Sequence, residues 1–139
     1  MMTAPSAAYA QAPGWSYAYT NGVVTATQRN EEGNTTATLT CAPPTGDIII
    51  TDYTFGRAGR RATQATVSVG PFSVTVPAAE EQLSRRVKVI TVHLPQRPPI
   101  LAAVQPTDRL TVVVNNVTHT YLPGSATQLK DVAYGCWGS

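Results

Sequence analysis

Apolar and polar residues alternate with a period of two through most of the chain, and residues that suit tight turns close each alternating stretch. Residues 35–41 place Ala37, Leu39 and Cys41 on one face of a strand and Thr36, Thr38 and Thr40 on the other. Residues 63–69 and 72–76 repeat the pattern: Ala65, Val67, Val69, Phe72, Val74 and Val76 are predicted to point inward, with Thr66, Ser68, Ser73 and Thr75 outward. In residues 109–115 the inner face is Leu110, Val112 and Val114. Within residues 47–54, Ile48, Ile49 and Ile50 predict burial on both faces near the start of that strand. The β-branched run 85–94 is charged only at its beginning, which predicts a central strand entering from solvent.

Turn residues join these stretches. Asn21-Gly22 predicts a hairpin between 15–19 and 23–29, because both residues tolerate positive φ. Gly70-Pro71 and Asn115-Asn116 predict two more. Turns are also expected at 31–34 and, after Pro77, at Glu80-Glu81, while the prolines of 95–99 end the long strand. Residues 100–104 have room for one helical turn before Pro106. Residues 124–135 predict a short helix with Ser125 as N-cap, Gln128 completing a capping box and Gly135 as its stop. About eight or nine short strands and one short C-terminal helix make an all-β chain, an antiparallel β-sandwich with a closed β-barrel as the alternative. There is no internal repeat.

Composition narrows the class. A length of 139 residues is one domain, and 42% hydrophobic with 13% charged residues excludes a coiled coil and a charge-rich disordered chain. A net charge of +2 is too weak a field to argue for nucleic acid, and no apolar run approaches the roughly 18 residues of a membrane span. Within residues 1–12, Ala10-Gln11-Ala12 fits the small-x-small site read by signal peptidase. That segment is expected to be a signal-peptide remnant or a disordered leader, with residues 13–139 as the single folded domain. Cys41 and Cys136 are too far apart for a CxxC motif, and an even count in an exported chain predicts one disulfide. Closing 95 residues in one loop is worth about 4–5 kcal/mol on the chain-entropy model. Two buried free thiols are the other reading.

Candidate chemistry concentrates in residues 55–61, Phe-Gly-Arg-Ala-Gly-Arg-Arg. Arg57, Arg60 and Arg61, beside Tyr53 and Phe55, form a flexible loop able to bind anions bidentately and to stack on flat groups. With Arg85, Arg86 and Lys88 nearby, six of the chain's ten cations would form one patch for an acidic polysaccharide, a lipid phosphate or the acidic face of a protein. The plainer reading is a solvated turn that guards a strand edge. His93 and His119 supply the chain's two imidazoles, and a metal site would need a further ligand such as Asp108 or a thiol. No metal-ligand spacing, Gly-x-Ser-x-Gly elbow or phosphate loop is present, so no catalytic residue, metal or cofactor is assigned. Trp15, Tyr134 and Trp137 are expected in the core or as lids near the chain ends.

An early Trp15, a Thr-rich strand ending in Cys41, a helical turn at 100–104, and Tyr121-Leu-Pro-Gly-Ser-Ala126 leading to Cys136 together resemble small exported proteins of alphaproteobacteria. These are distantly similar to the invasion-associated locus B proteins. The resemblance implies a periplasmic or secreted β-sandwich and brings no catalytic residues with it. The expectation is therefore a non-enzymatic exported binding or envelope-accessory module, its partner a protein or an anionic envelope polymer. The alternatives are a small hydrolase or metal-dependent enzyme using His93 or His119, and a structural subunit assembling through sheet edges.

Overall fold

The computed structural model describes residues 14–41, 46–94 and 104–137, apart from the side chains of Thr20, Phe72 and Trp137. The leader read in residues 1–12 lies outside the described residues, and of the turn read at 100–104 only Val104 is described, buried in the core. The strands are β1 (Gly14–Thr20), β2 (Val23–Arg29), β3 (Thr35–Cys41), β4 (Ile48–Asp52), β5 (Gln64–Val69), β6 (Phe72–Gln82), β7 (Lys88–Leu94), β8 (Leu110–Val114) and β9 (Val117–Thr120). A 3₁₀ turn, Gly56–Gly59, follows β4, and helix α1, Ser125–Trp137, follows β9.

All nine strands form one antiparallel sheet, in the order β1-β2-β3-β4-β7-β6-β5-β8-β9, curled into a half-barrel. The all-β expectation with one C-terminal helix holds, and the strands form one continuous sheet. Strand β6 joins its two halves: residues 72–77 pair with β5 and residues 78–82 with β7. The expected turn at Glu80-Glu81 is therefore corrected, because both residues lie in β6 opposite Ile90 and Val89. Pro77 does not break the strand. The Ala78 amide donates to Thr63 O (3.0 Å), which makes Gln64 and Pro77 a non-hydrogen-bonded pair, so the missing proline donor removes nothing from that ladder.

The three predicted hairpins form with the turn conformations their residues demand. Asn21 and Gly22 have φ of 54° and 81°, Asn115 and Asn116 of 49° and 68°, the left-handed pairs of a type I′ turn. Gly70, at φ 59° before Pro71, takes the first central position of a type II′ turn. Inward faces follow the alternation: Ala37, Leu39, Cys41, Ala65, Val67, Val69, Leu110, Val112 and Val114 are all buried. Outside, Thr66 bonds Thr75 and Ser68 bonds Ser73, each at 3.1 Å across the β5–β6 pair. The long strand begins later than its pattern suggests. Arg85 and Arg86 lie in the β6–β7 turn, where Leu83 N donates to Val87 O (2.8 Å), and β7 starts at Lys88. Val89 to Val92 are then buried in succession, as a central strand requires.

Beyond β9, the Leu122 amide donates to Gln28 Oε1 (2.7 Å) and its carbonyl accepts from Trp15 Nε1 (3.3 Å). Side chains of β1 and β2 thus hold the far end of the curled sheet. Trp15 is the expected lid, edge-on to Tyr121 with centroids 6.4 Å apart.

Helix α1 lies against β1, β2 and β3 and buries Ala126, Leu129, Val132 and Ala133. The disulfide between Cys41 and Cys136, with Cα atoms 5.9 Å apart, pins it to the end of β3. Both predicted helix signals are corrected. Ser125 Oγ accepts from Leu110 N (2.8 Å), so this hydroxyl secures the start of β8, and Gln128 Oε1 is buried without a partner among the described residues. Gly135 does not stop the helix, which continues to Trp137. It allows close approach: a Cβ there would lie 2.6 Å from the Tyr17 hydroxyl and 3.0 Å from Val24 Cγ2. Tyr134 is exposed, and the Trp137 side chain is outside the described residues. Among the described residues, no helix is long and apolar enough to cross a membrane.

Candidate functional site

The arginine segment 55–61 forms a 3₁₀ turn stitched by backbone hydrogen bonds. Gly56, at φ 55°, lets the chain turn sharply out of Phe55, and Ala58 N and Arg60 N donate back to Phe55 O and Arg57 O at 3.0 and 3.1 Å. From the β8–β9 turn, Asn115 Nδ2 donates to Ala58 O (3.1 Å) and Arg60 O (2.9 Å). Gly59 is buried against β7, where a Cβ would overlap the Ile90 side chain. Phe55 is buried and stacks on His119, centroids 3.8 Å and planes 10° apart. These contacts fix the backbone from which Arg57 and Arg60 project into solvent.

The opposing wall is the β6–β7 turn, closed by the Leu83–Val87 backbone bond and by Gln82 Nε2 donating to Arg85 O (3.4 Å). Between the walls is a cleft of about 650 Å³ lined by Tyr53, Gly56, Arg57, Arg60, Glu80, Arg85, Arg86, Val87 and Lys88. Five cations face one carboxylate there. Among the described residues none of the five is ion-paired. Like charges held together without counter-charges raise the local positive potential, which a bound anion relieves. Arg61 is the exception in the expected set of six: it sits at φ 59°, its amide donates to Glu80 Oε1 (3.4 Å), and it does not line the cleft. Tyr53 puts an aromatic side chain in the lining, so the site offers both guanidinium forks and a ring.

A second group of polar side chains lies at the middle of the curl. Asp52, fully buried at the end of β4, shares the inward face of Ile48 and Ile50. Its Oδ1 accepts from Thr54 N and Thr54 Oγ1, both at 2.7 Å, and its Oδ2 from Tyr121 OH (2.6 Å) and His119 Nδ1 (3.1 Å). Thr54 Oγ1 is also 3.2 Å from the same His119 nitrogen. A relay for nucleophilic catalysis needs the carboxylate on one imidazole nitrogen and the hydroxyl on the other. Here both meet Nδ1 and the hydroxyl gives its proton to Asp52, so the group ties β9 to β4 and, through Phe55, seats the arginine turn. His93, opposite Ile49 on β7, has no hydrogen-bonded carboxylate among the described residues. Nor do three His, Cys, Asp or Glu side chains come together as metal ligands among them.

Burial, then the charge of Asp52 and then its hydrogen bond push the Tyr121 phenol well above its ordinary pKa of 10.0. The folded protein therefore holds this proton more tightly than the unfolded chain. The resulting stability is complete below about pH 10 and declines as pH rises beyond it, by up to about 1.4 kcal/mol per pH unit, until the folded form also ionises. Urea unfolding in steps between about pH 9 and 11 should show this decline, and Tyr121→Phe should remove its share of it. An identical slope in wild type and variant would contradict the assignment.

The chain matches no protein-family model, no curated protein and no solved structure.

Proposed function

We propose that this protein is a non-enzymatic, exported binding module whose basic cleft holds the oxyanion groups of an envelope ligand or partner. The observation that carries the reading is the cleft itself: Arg57, Arg60, Arg85, Arg86 and Lys88 converge from two ordered turns and are left without ion pairs among the described residues. Guanidinium groups match phosphate, sulfate and carboxylate in bidentate geometry, and clustering them raises association rate as well as affinity. The Cys41–Cys136 disulfide supports assignment to the periplasm or the exterior, where such bonds persist. The resemblance to exported alphaproteobacterial proteins points the same way.

Retention on immobilised dextran sulfate tests the reading. Replacing Arg57, Arg60, Arg85 and Arg86 by alanine should weaken binding roughly tenfold or more and flatten its salt dependence, with thermal stability unchanged because these side chains are exposed. Arg61→Ala, just outside the lining, should bind like wild type. A loss per removed charge as large in Arg61→Ala as in the fourfold variant would mean that net charge alone is being measured, and unchanged retention of the fourfold variant would remove the cleft as the site.

A further inference from the structure

The turn that brings Arg85, Arg86 and Lys88 to the cleft also exposes two apolar side chains, Leu83 at 55% and Val87 at 39% of full exposure. They bracket the turn, since Leu83 N donates to Val87 O, and Val87 itself lines the cleft. A hydrated acidic polymer would use the cations and leave Leu83 in water. The surface of an anionic bilayer offers both chemistries in layers: phosphates at headgroup level and an apolar boundary a few ångströms deeper. The acidic residues of this hairpin do not cancel the match. Glu80 is one carboxylate among five cations, and Glu81 Oε2 accepts a 2.7 Å hydrogen bond from Thr91 Oγ1 in the neighbouring strand.

We propose that the cleft's ligand is an anionic lipid surface, with the Leu83–Val87 turn entering the headgroup boundary while the surrounding arginines and Lys88 hold lipid phosphates. This rests on the anion-binding reading above and adds the source of the anion. Each cation near such a surface contributes about fivefold to partitioning, and the apolar pair adds roughly tenfold when it leaves water. The same turn is short and closed by backbone bonds, so it would present its side chains to the bilayer without refolding.

The experiment is flotation of the full chain, disulfide intact, with phosphatidylcholine vesicles containing about one third phosphatidylglycerol, and with phosphatidylcholine alone. Wild type should float with the anionic vesicles and not the neutral ones. The Leu83→Ser variant, changed at an exposed position outside the cleft lining, should lose about fivefold in vesicle affinity while keeping its retention on dextran sulfate. Soluble glycerol phosphate should fail to release bound wild type. Vesicle affinity unaltered by Leu83→Ser, release by glycerol phosphate, or binding to dextran sulfate with none to vesicles would each overturn the lipid assignment and leave the anion-binding cleft standing. Binding to neither would overturn both.

Discussion

Removing the disulfide should cost the fold about 4–5 kcal/mol, the largest effect expected of any covalent change to this chain. The bond joins residues 95 apart, so its loss frees the segment carrying β4 to β9, six of the nine strands, in the unfolded ensemble. The folded side contributes too, because Cys41 is buried at the end of β3 and Cys136 lies in the last turn of α1. Against a typical stability of roughly 5–15 kcal/mol, this decides whether the protein is comfortably folded at body temperature. A Cys41→Ala/Cys136→Ala variant should melt about 15 °C below wild type, taking roughly 3 °C per kcal/mol for a chain of this size. Hydrogen exchange should localise the first loosening to α1, whose remaining hold on the sheet is the packing of Ala126, Leu129, Val132 and Ala133 and the bond from Leu110 N to Ser125 Oγ. A drop of only a few degrees, with α1 still protected, would show that apolar packing holds the helix and that the bond is incidental.

The second large effect is expected at Asp52. Its carboxylate is fully buried and accepts four hydrogen bonds, two from Thr54 and one each from Tyr121 and His119. Asp52→Ala would strand the buried Tyr121 hydroxyl, while the exposed Thr54 and the part-exposed His119 can turn to water, and leaving a buried donor unpaired typically costs about 1–3 kcal/mol. Asp52→Asn keeps one acceptor oxygen and should cost about half as much. Since His119 also carries the stacked Phe55 at the foot of the arginine turn, the alanine variant should weaken anion binding in whatever fraction stays folded. Urea midpoints with the disulfide intact, read together with dextran sulfate retention, separate the two consequences. A midpoint within experimental error of wild type would mean that the donors find other partners and that Asp52 is no latch.

The fold was readable in the sequence wherever one residue type has one local solution. Asn21-Gly22 and Asn115-Asn116 can be little else than left-handed turn pairs, and period-two stretches such as 64–69 and 110–114 have one buried face. Features set by tertiary context were not readable. Pro77 and Glu80-Glu81 look like a break, yet β6 runs through them because the strand changes partners where the proline owes no hydrogen bond. Ser125 has the spacing of a helix cap, but its hydroxyl is claimed by Leu110 N, 15 residues away. Gly135 looks like a helix stop and is a close contact with Tyr17 and Val24.

At the candidate site, sequence proximity identifies the arginines of 57–61 and of 85–86 as two groups, and only the sheet order brings β7 beside the turn that follows β4. Asp52 left a signal that was missed: a lone carboxylate two residues after Ile50 falls on the inward face and must find donors. Its partners, His119 and Tyr121, are 67 and 69 residues away, beyond any spacing rule.

The central claim, that the paired arginine turns form an anion site, is tested most directly by amide chemical-shift mapping during a titration with short dextran sulfate fragments. The account predicts shifts concentrated in residues 56–60 and 82–88, weakening with salt and abolished by the fourfold arginine substitution. Shifts centred instead on Asp52, Thr54 and His119, or scattered evenly over the basic surface, would contradict it.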